Sequence, residues 1–286
     1  MLMPMNNADD PFASELNRVP IDLPRAALVF ARSLAYPTLD VEAYLARLDG
    51  LAEAARPQVD PRAALPERAD ALSDFLFYQA GFSGARANER AARDDYHSPE
   101  NSFLNRVLDR RMGIPISLSL VYVAVARRLG LPAYGISLPG HFIVGLYENG
   151  AQVLVDPFNA GLRLSLPGCA RLVREATGSR HPFQPEWLAP CPPADLLARM
   201  LTNLCNAYIQ REDWRSAIPV LQHLLSIRPE QDWRLRDLGF LYFYSGSLRL
   251  AAEYFEEYLR RSPGATDYET VRTSLQIVAG RLALWN

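Results

Sequence analysis

Apolar residues first recur at three- and four-residue spacings. Leu28, Phe30, Ala31 and Leu34 form one stripe, and Val41, Tyr44, Leu45, Leu48 and Leu51 form a second, near the 3.6-residue period of a helix. Residues 24–56 therefore read as two helices broken at Tyr36-Pro37, with Asp40 placed to cap the second. A third helix is predicted over 66–80, with Ala69, Leu72, Phe75 and Leu76 on its buried side. Residues 82–100 are rich in Gly, Ala, Arg and Asp and read as a loop. Asn101 to Arg111 is a short amphipathic helix through Phe103, Leu104, Val107 and Leu108, ended by Gly113 and Pro115. From Ile116 to Leu129 apolar residues fall on nearly every side, so this helix is expected at the centre of a core. Pro115 suits its first turn, and Gly130 with Pro132 stops it.

Beyond that helix the period changes to two. Tyr134–Leu138, His141–Tyr147 and Ala151–Asp156 read as strands, and Asn149-Gly150 between the last two is a strong hairpin signal. A helix followed by an antiparallel hairpin indicates an α+β domain. Residues 165–193 carry Pro167, Pro182, Pro185, Pro190, Pro192 and Pro193, and read as a linker or irregular wrap.

From Leu196 onward a period of 34 is visible: Leu204 and Leu238, Tyr208 and Tyr242, Ala217 and Ala251, Pro229 and Pro263. That is the length and residue order of the tetratricopeptide repeat, a helix–turn–helix with a small residue where its helices cross and a proline after the second. Gly239 and Phe255 complete the pattern in the second copy; Cys205 and Leu221 replace them in the first. Pro219 lies inside the second helix of the first copy, so a kink or a late helix start is expected there. Residues 194–264 are predicted to form two antiparallel helix pairs, with 268–284 as a closing helix.

Composition narrows the function classes. Of 286 residues, 49% are hydrophobic and 22% charged, a globular balance. The formal net charge of -2 gives no case for nucleic acid or an anionic membrane surface. No apolar run approaches the roughly 20 residues that span a bilayer. Met1 to Asp10 holds two acids and no base, unlike a signal peptide. Cys169, Cys191 and Cys205 stand at unrelated spacings, which favours a reducing, cytoplasmic setting. All 30 basic residues are arginine, so no lysine is available as a phosphate ligand, Schiff base or general base. No cofactor or metal is expected; Asp94-Asp95-Tyr96-His97 lacks a second matched cluster and reads as a polar loop.

Folding the hairpin about Asn149-Gly150 pairs Tyr147 with Gln152 and Ile143 with Asp156, and puts His141 diagonal to Asp156 on one face. A histidine held by a carboxylate is the orienting half of a nucleophilic triad. The third member belongs at a helix N-terminus, and the buried helix opens with Pro115-Ile116-Ser117. Asn101-Ser102-Phe103-Leu104-Asn105, Gly113-Ile114-Pro115-Ile116-Ser117-Leu118-Ser119, Leu138-Pro139-Gly140-His141-Phe142 and Val155-Asp156-Pro157-Phe158-Asn159 together resemble the bacterial Sir-B-type regulator family. The resemblance covers roughly residues 24–286. It implies a transglutaminase-like, papain-like core of helices and a small antiparallel sheet, followed by an all-α tetratricopeptide-repeat array. It also implies a nucleophile at the N-terminus of the central helix, with His141 and Asp156 matching the family's His and Asp.

This sequence departs from that pattern in having no cysteine between Met1 and Gly168; Ser117 is the nearest hydroxyl. The expected layout is a disordered tail over 1–22, a transglutaminase-like domain over 23–165, a Pro-rich linker over 166–193 and the repeat domain over 194–286. The expected function is a non-enzymatic or weakly enzymatic regulatory module whose repeats bind a protein partner through Asn203, Asn206, Gln210, Arg236 and Tyr244. Charge reversal at Arg236 is then expected to weaken capture while leaving the melting temperature nearly unchanged. The competing readings are a hydrolase or acyl transferase using Ser117, His141 and Asp156, and a structural subunit whose repeats only brace the fold.

Overall fold

A computed structural model describes residues 11–85, 96–179 and 181–284 of the chain. These divide into two compact units: Asn17–Met200, and a second in which Leu201 onward is joined by the segment ending at Leu16.

The first unit is built round the helix Pro115–Arg128, in which every residue from Pro115 to Ala126 is buried. Its all-round apolar sequence demands that position, because no face is left to give to water. Helices Leu23–Leu34 and Val41–Ala55 pack on it. Asp40 caps the second of these by accepting from the Ala43 amide at 3.1 Å. The helix predicted over 66–80 runs as α-helix over Leu65–Ser73 and continues as a wider π-helical turn over Asp74–Gln79. Strands β1 (Ser83–Gly84) and β2 (Met112–Gly113) form a small parallel pair, with the helix Leu104–Arg110 between them in sequence.

The main sheet is antiparallel, in the order β3 (Ala133–Ile136), β4 (Ile143–Glu148), β5 (Ala151–Asp156) and β6 (Leu162–Leu164). Tyr147 lies opposite Gln152 and the register runs on to Val144 opposite Val155. Asn149 and Gly150 both adopt positive φ, 50° and 83°, as a tight two-residue hairpin turn requires.

Residues 166–193 are more ordered than a linker. Leu166–Thr177 is a helix whose Cys169 and Val173 pack into a core with Ile136, Leu138, Ile143 and Leu154. Pro167 sits in its first turn, where a missing N–H costs nothing, and Ser165 caps it by accepting from the Gly168 amide at 3.3 Å. Farther on, Pro190 bridges Ile136 and the Cys191 amide donates to the Gly135 carbonyl at 2.8 Å, covering the β3 edge.

The second unit contains helix pairs completed by Trp214–Ile227, Trp233–Tyr244 and Leu248–Arg261, then the helix Tyr268–Ala283. The helix Pro193–Gln210, which opens the repeats, begins before the boundary between the units. Ala217 and Ala251 are fully buried, and a Cβ on Gly239 would stand 2.4 Å from the Phe255 ring. Pro219 causes no late start, since the helix Trp214–Ile227 runs through the proline. The tail expectation also fails in part: Pro11–Leu16 is helical, with Phe12 fully buried. Residues 1–10 lie outside the described residues.

Candidate functional site

Two short turns bring the site together. After β3 the chain reverses through Pro139-Gly140, and the His141 amide donates to the Leu138 carbonyl at 3.2 Å. Gly140 has φ of 72°, and a Cβ there would meet the Ala176 methyl at 2.6 Å, so glycine is required twice over. At the end of β5, Asp156 caps the 3₁₀ turn Pro157–Asn159.

His141 Nε2 lies 3.1 Å from each carboxylate oxygen of Asp156. An ionised carboxylate only accepts, so Nε2 carries the proton and Nδ1 is left with the lone pair in the neutral ring. His141 is 9% exposed and Asp156 is wholly buried. The carboxylate also accepts from the amides of Phe158 (3.1 Å) and Asn159 (3.3 Å), and from Asn159 Nδ2 at 2.7 Å. The Phe158 ring meets the imidazole edge-on at 6.0 Å, and Tyr96 meets Phe158 edge-on at 6.1 Å.

Ser117 is not part of this pair. It is fully buried at the third helical position. Its Oγ donates to the Asn101 carbonyl at 2.7 Å, with the Ile114 carbonyl a second acceptor at 3.1 Å, and accepts from the Ile114 amide at 3.1 Å. Among the described residues it makes no hydrogen bond to His141 or Asp156. Ser119, one half-turn farther along, lies 3.5 Å from the Phe142 carbonyl. Cys169 is buried under β4 and β5, and burial with the nearby Asp156 charge pushes its thiol up to about 11. Burial pushes Cys205 up to about 12 and also raises Cys191.

Arg199 escaped the sequence reading. Its guanidinium donates to the carbonyls of Leu138 (2.9 Å) and His141 (2.8 Å) and to Ser137 Oγ, and lies over the Phe142 ring at 5.5 Å. It fixes the loop that carries His141. Burial lowers its pKa, against an opposing pull from Cys191 and Tyr96. Asn159 was missed too, although Asp-Pro-Phe-Asn reads as a side-chain-capped turn. Of Asp94-Asp95-Tyr96-His97, read above as a polar loop, the two aspartates lie outside the described residues.

On the repeat unit, Asn206, Gln210 and Tyr244 are exposed and Asn203 is half-buried. Tyr244 packs on Trp214 (ring centroids 5.0 Å apart) and on Phe240 and Phe243, and Arg281 covers Phe243 at 4.9 Å. Arg236 is partly exposed and pairs with Asp237 and Asp267, and Asp267 also accepts from Tyr258 Oη at 2.6 Å. It thereby also acts as a strut between helices.

With this geometry in view, comparison with known proteins places the chain. Residues 42–202 match a model of the transglutaminase-like superfamily, and residues 204–276 match a tetratricopeptide-repeat model. A UPF0162 protein of Xylella fastidiosa is 34% identical over 258 residues, covering 89% of each chain. A UPF0162 protein of Vibrio cholerae is 28% identical over 71% of this chain and 73% of its own. F-box only protein 21 of Mus musculus is 34% identical over 113 residues, 36% of this chain and 17% of its own. A crystal structure of menin aligns over 86% of this chain and 67% of its own at a TM-score of 0.40 and 13% identity, too slight a likeness to use. The chain belongs to the transglutaminase-like superfamily, alongside the UPF0162 proteins, and carries tetratricopeptide repeats after that domain.

Proposed function

We propose that this chain is a cytoplasmic regulatory protein of the Sir-B type: a transglutaminase-like domain without a working nucleophile, whose repeats bind a protein partner. One observation carries the non-enzymatic half. The helix N-terminus that should present a thiolate offers Pro115 and Ile116 at its first positions, and the Ser117 hydroxyl is turned back onto Ile114 and Asn101. A helix dipole worth about 0.3–1 kcal/mol does not turn such a hydroxyl into an alkoxide. His141 and Asp156 remain as a buried structural pair. The exposed Asn206, Gln210 and Tyr244 and the aromatic cluster under Tyr244 support the binding half; aromatic residues are common interface anchors.

The reading is tested by affinity capture with the intact chain and with an Asn206→Arg, Tyr244→Ala double variant, beside labelling by a serine-directed fluorophosphonate. We expect the captured partner to be lost with the variant while its helical circular dichroism stays that of the wild type, and no label at Ser117. Label on Ser117 that disappears in Ser117→Ala would establish the hydrolase instead. Capture that survives both the double variant and removal of residues 193–286 would reduce the repeats to a brace.

A further inference from the structure

Pro11–Leu16 clusters with the repeat unit although it stands far from the repeats in sequence. Phe12 is fully buried there, its ring meeting His223 edge-on at 5.0 Å, and Glu15 is 7% exposed. Three-residue spacing puts Phe12 and Glu15 on one face of the helix. His223 belongs to Trp214–Ile227, beside Leu224 on that helix's buried side. The residues that follow the segment are different in kind: Asn17 to Pro20 are all exposed, and Val19 is 98% exposed. A helix of six residues does not hold itself in water. Its helical form therefore comes from the surface it lies on, as when an amphipathic helix docks in a groove.

We propose that Pro11–Leu16 is an internal occupant of a peptide site on the repeat unit. The partner the site takes is a short helical segment carrying a Phe and a Glu three residues apart, as Phe12-Ala13-Ser14-Glu15 does. The inference deepens the partner-binding reading of the repeats and rests on it. A tethered occupant competes at an effective concentration on the order of millimolar, so an incoming partner must displace it and the site is closed by default.

The test uses the full chain and a labelled peptide of residues 11–20, followed by fluorescence anisotropy. The Phe12→Ala chain, whose own segment is weakened, should bind the peptide at least tenfold more tightly than the wild-type chain. A peptide carrying Phe12→Ala should bind neither. Equal binding to both chains, or none to either, overturns the proposal. So does loss of repeat helicity in the Phe12→Ala chain, since the segment is then core. Hydrogen exchange on the wild-type chain gives a second readout. Amides of residues 13–16 should exchange at least tenfold faster than those of Trp214–Ile227, and exchange of both only by global unfolding overturns the idea. Failure here leaves capture through Asn206 and Tyr244 untouched, so the two readings fail separately.

Discussion

Replacing Asp156 by alanine isolates what the His141–Asp156 pair does. The carboxylate is wholly buried and accepts from four groups: His141 Nε2, the amides of Phe158 and Asn159, and Asn159 Nδ2. Hydrogen bonds to a charged group contribute about 1.5–3 kcal/mol each, and donors orphaned by its loss carry their own desolvation cost. These four share one carboxylate and are not additive, so about 3–5 kcal/mol is the reasonable total. For a unit of this size that lowers the melting temperature by roughly 6–20 °C. His141→Ala removes one of the four donors and leaves the turn capped, so its cost should be about 1–3 kcal/mol. Equilibrium urea unfolding of both variants reads the difference directly. An Asp156→Ala chain within about 1 kcal/mol of wild type would refute the reading of the pair as structural, and would mean that the pair is kept for chemistry.

Arg236→Glu should cost about 1–3 kcal/mol, because it places a third carboxylate beside Asp237 and Asp267 at a partly exposed site; an unchanged melting temperature would show the strut to be idle. Native alkylation by iodoacetamide at pH 7 should reach Cys191 at most. A thiol raised to about 11, as Cys169 is, has only about one part in ten thousand thiolate at that pH, and Cys205 is higher still. Rapid modification of either in the folded chain, read by mass spectrometry, would contradict its placement in the core.

Where local chemistry is sufficient, the sequence made the structure legible. Asp40 caps its helix because its side chain needs only the next three residues, and Asn149-Gly150 turns the hairpin by backbone conformation alone. The repeats were readable because Ala217, Ala251 and Gly239 must be small at crossings. The helix Leu166–Thr177 was hidden by Pro167, since a proline breaks a helix interior but suits its first turn. Strand β6 was hidden because it is three residues long at a sheet edge, with Leu162 54% exposed. Pro11–Leu16 offered one apolar pair, Phe12 and Leu16, too little to establish a period.

The site divides the same way, and the division bears on what the site is for. His141 and Asp156 could be paired in advance because the hairpin turn sets the β4–β5 register, although His141 itself lies in the loop two residues before β4. Arg199 could not, because it stands 58 residues beyond His141 and binds backbone carbonyls, which leave no mark on side-chain pattern. Those contacts hold the backbone of the His141 loop, while Asp156 holds the ring and the turn that follows β5. A general base must reach a proton on a reacting group. Here the ring is 9% exposed with the Phe158 edge against it, and the neighbouring helix end carries proline and isoleucine. Every polar contact of the pair is therefore directed at chain geometry: two turns, a loop and a strand end. The pair thus ties those four segments together from a buried position.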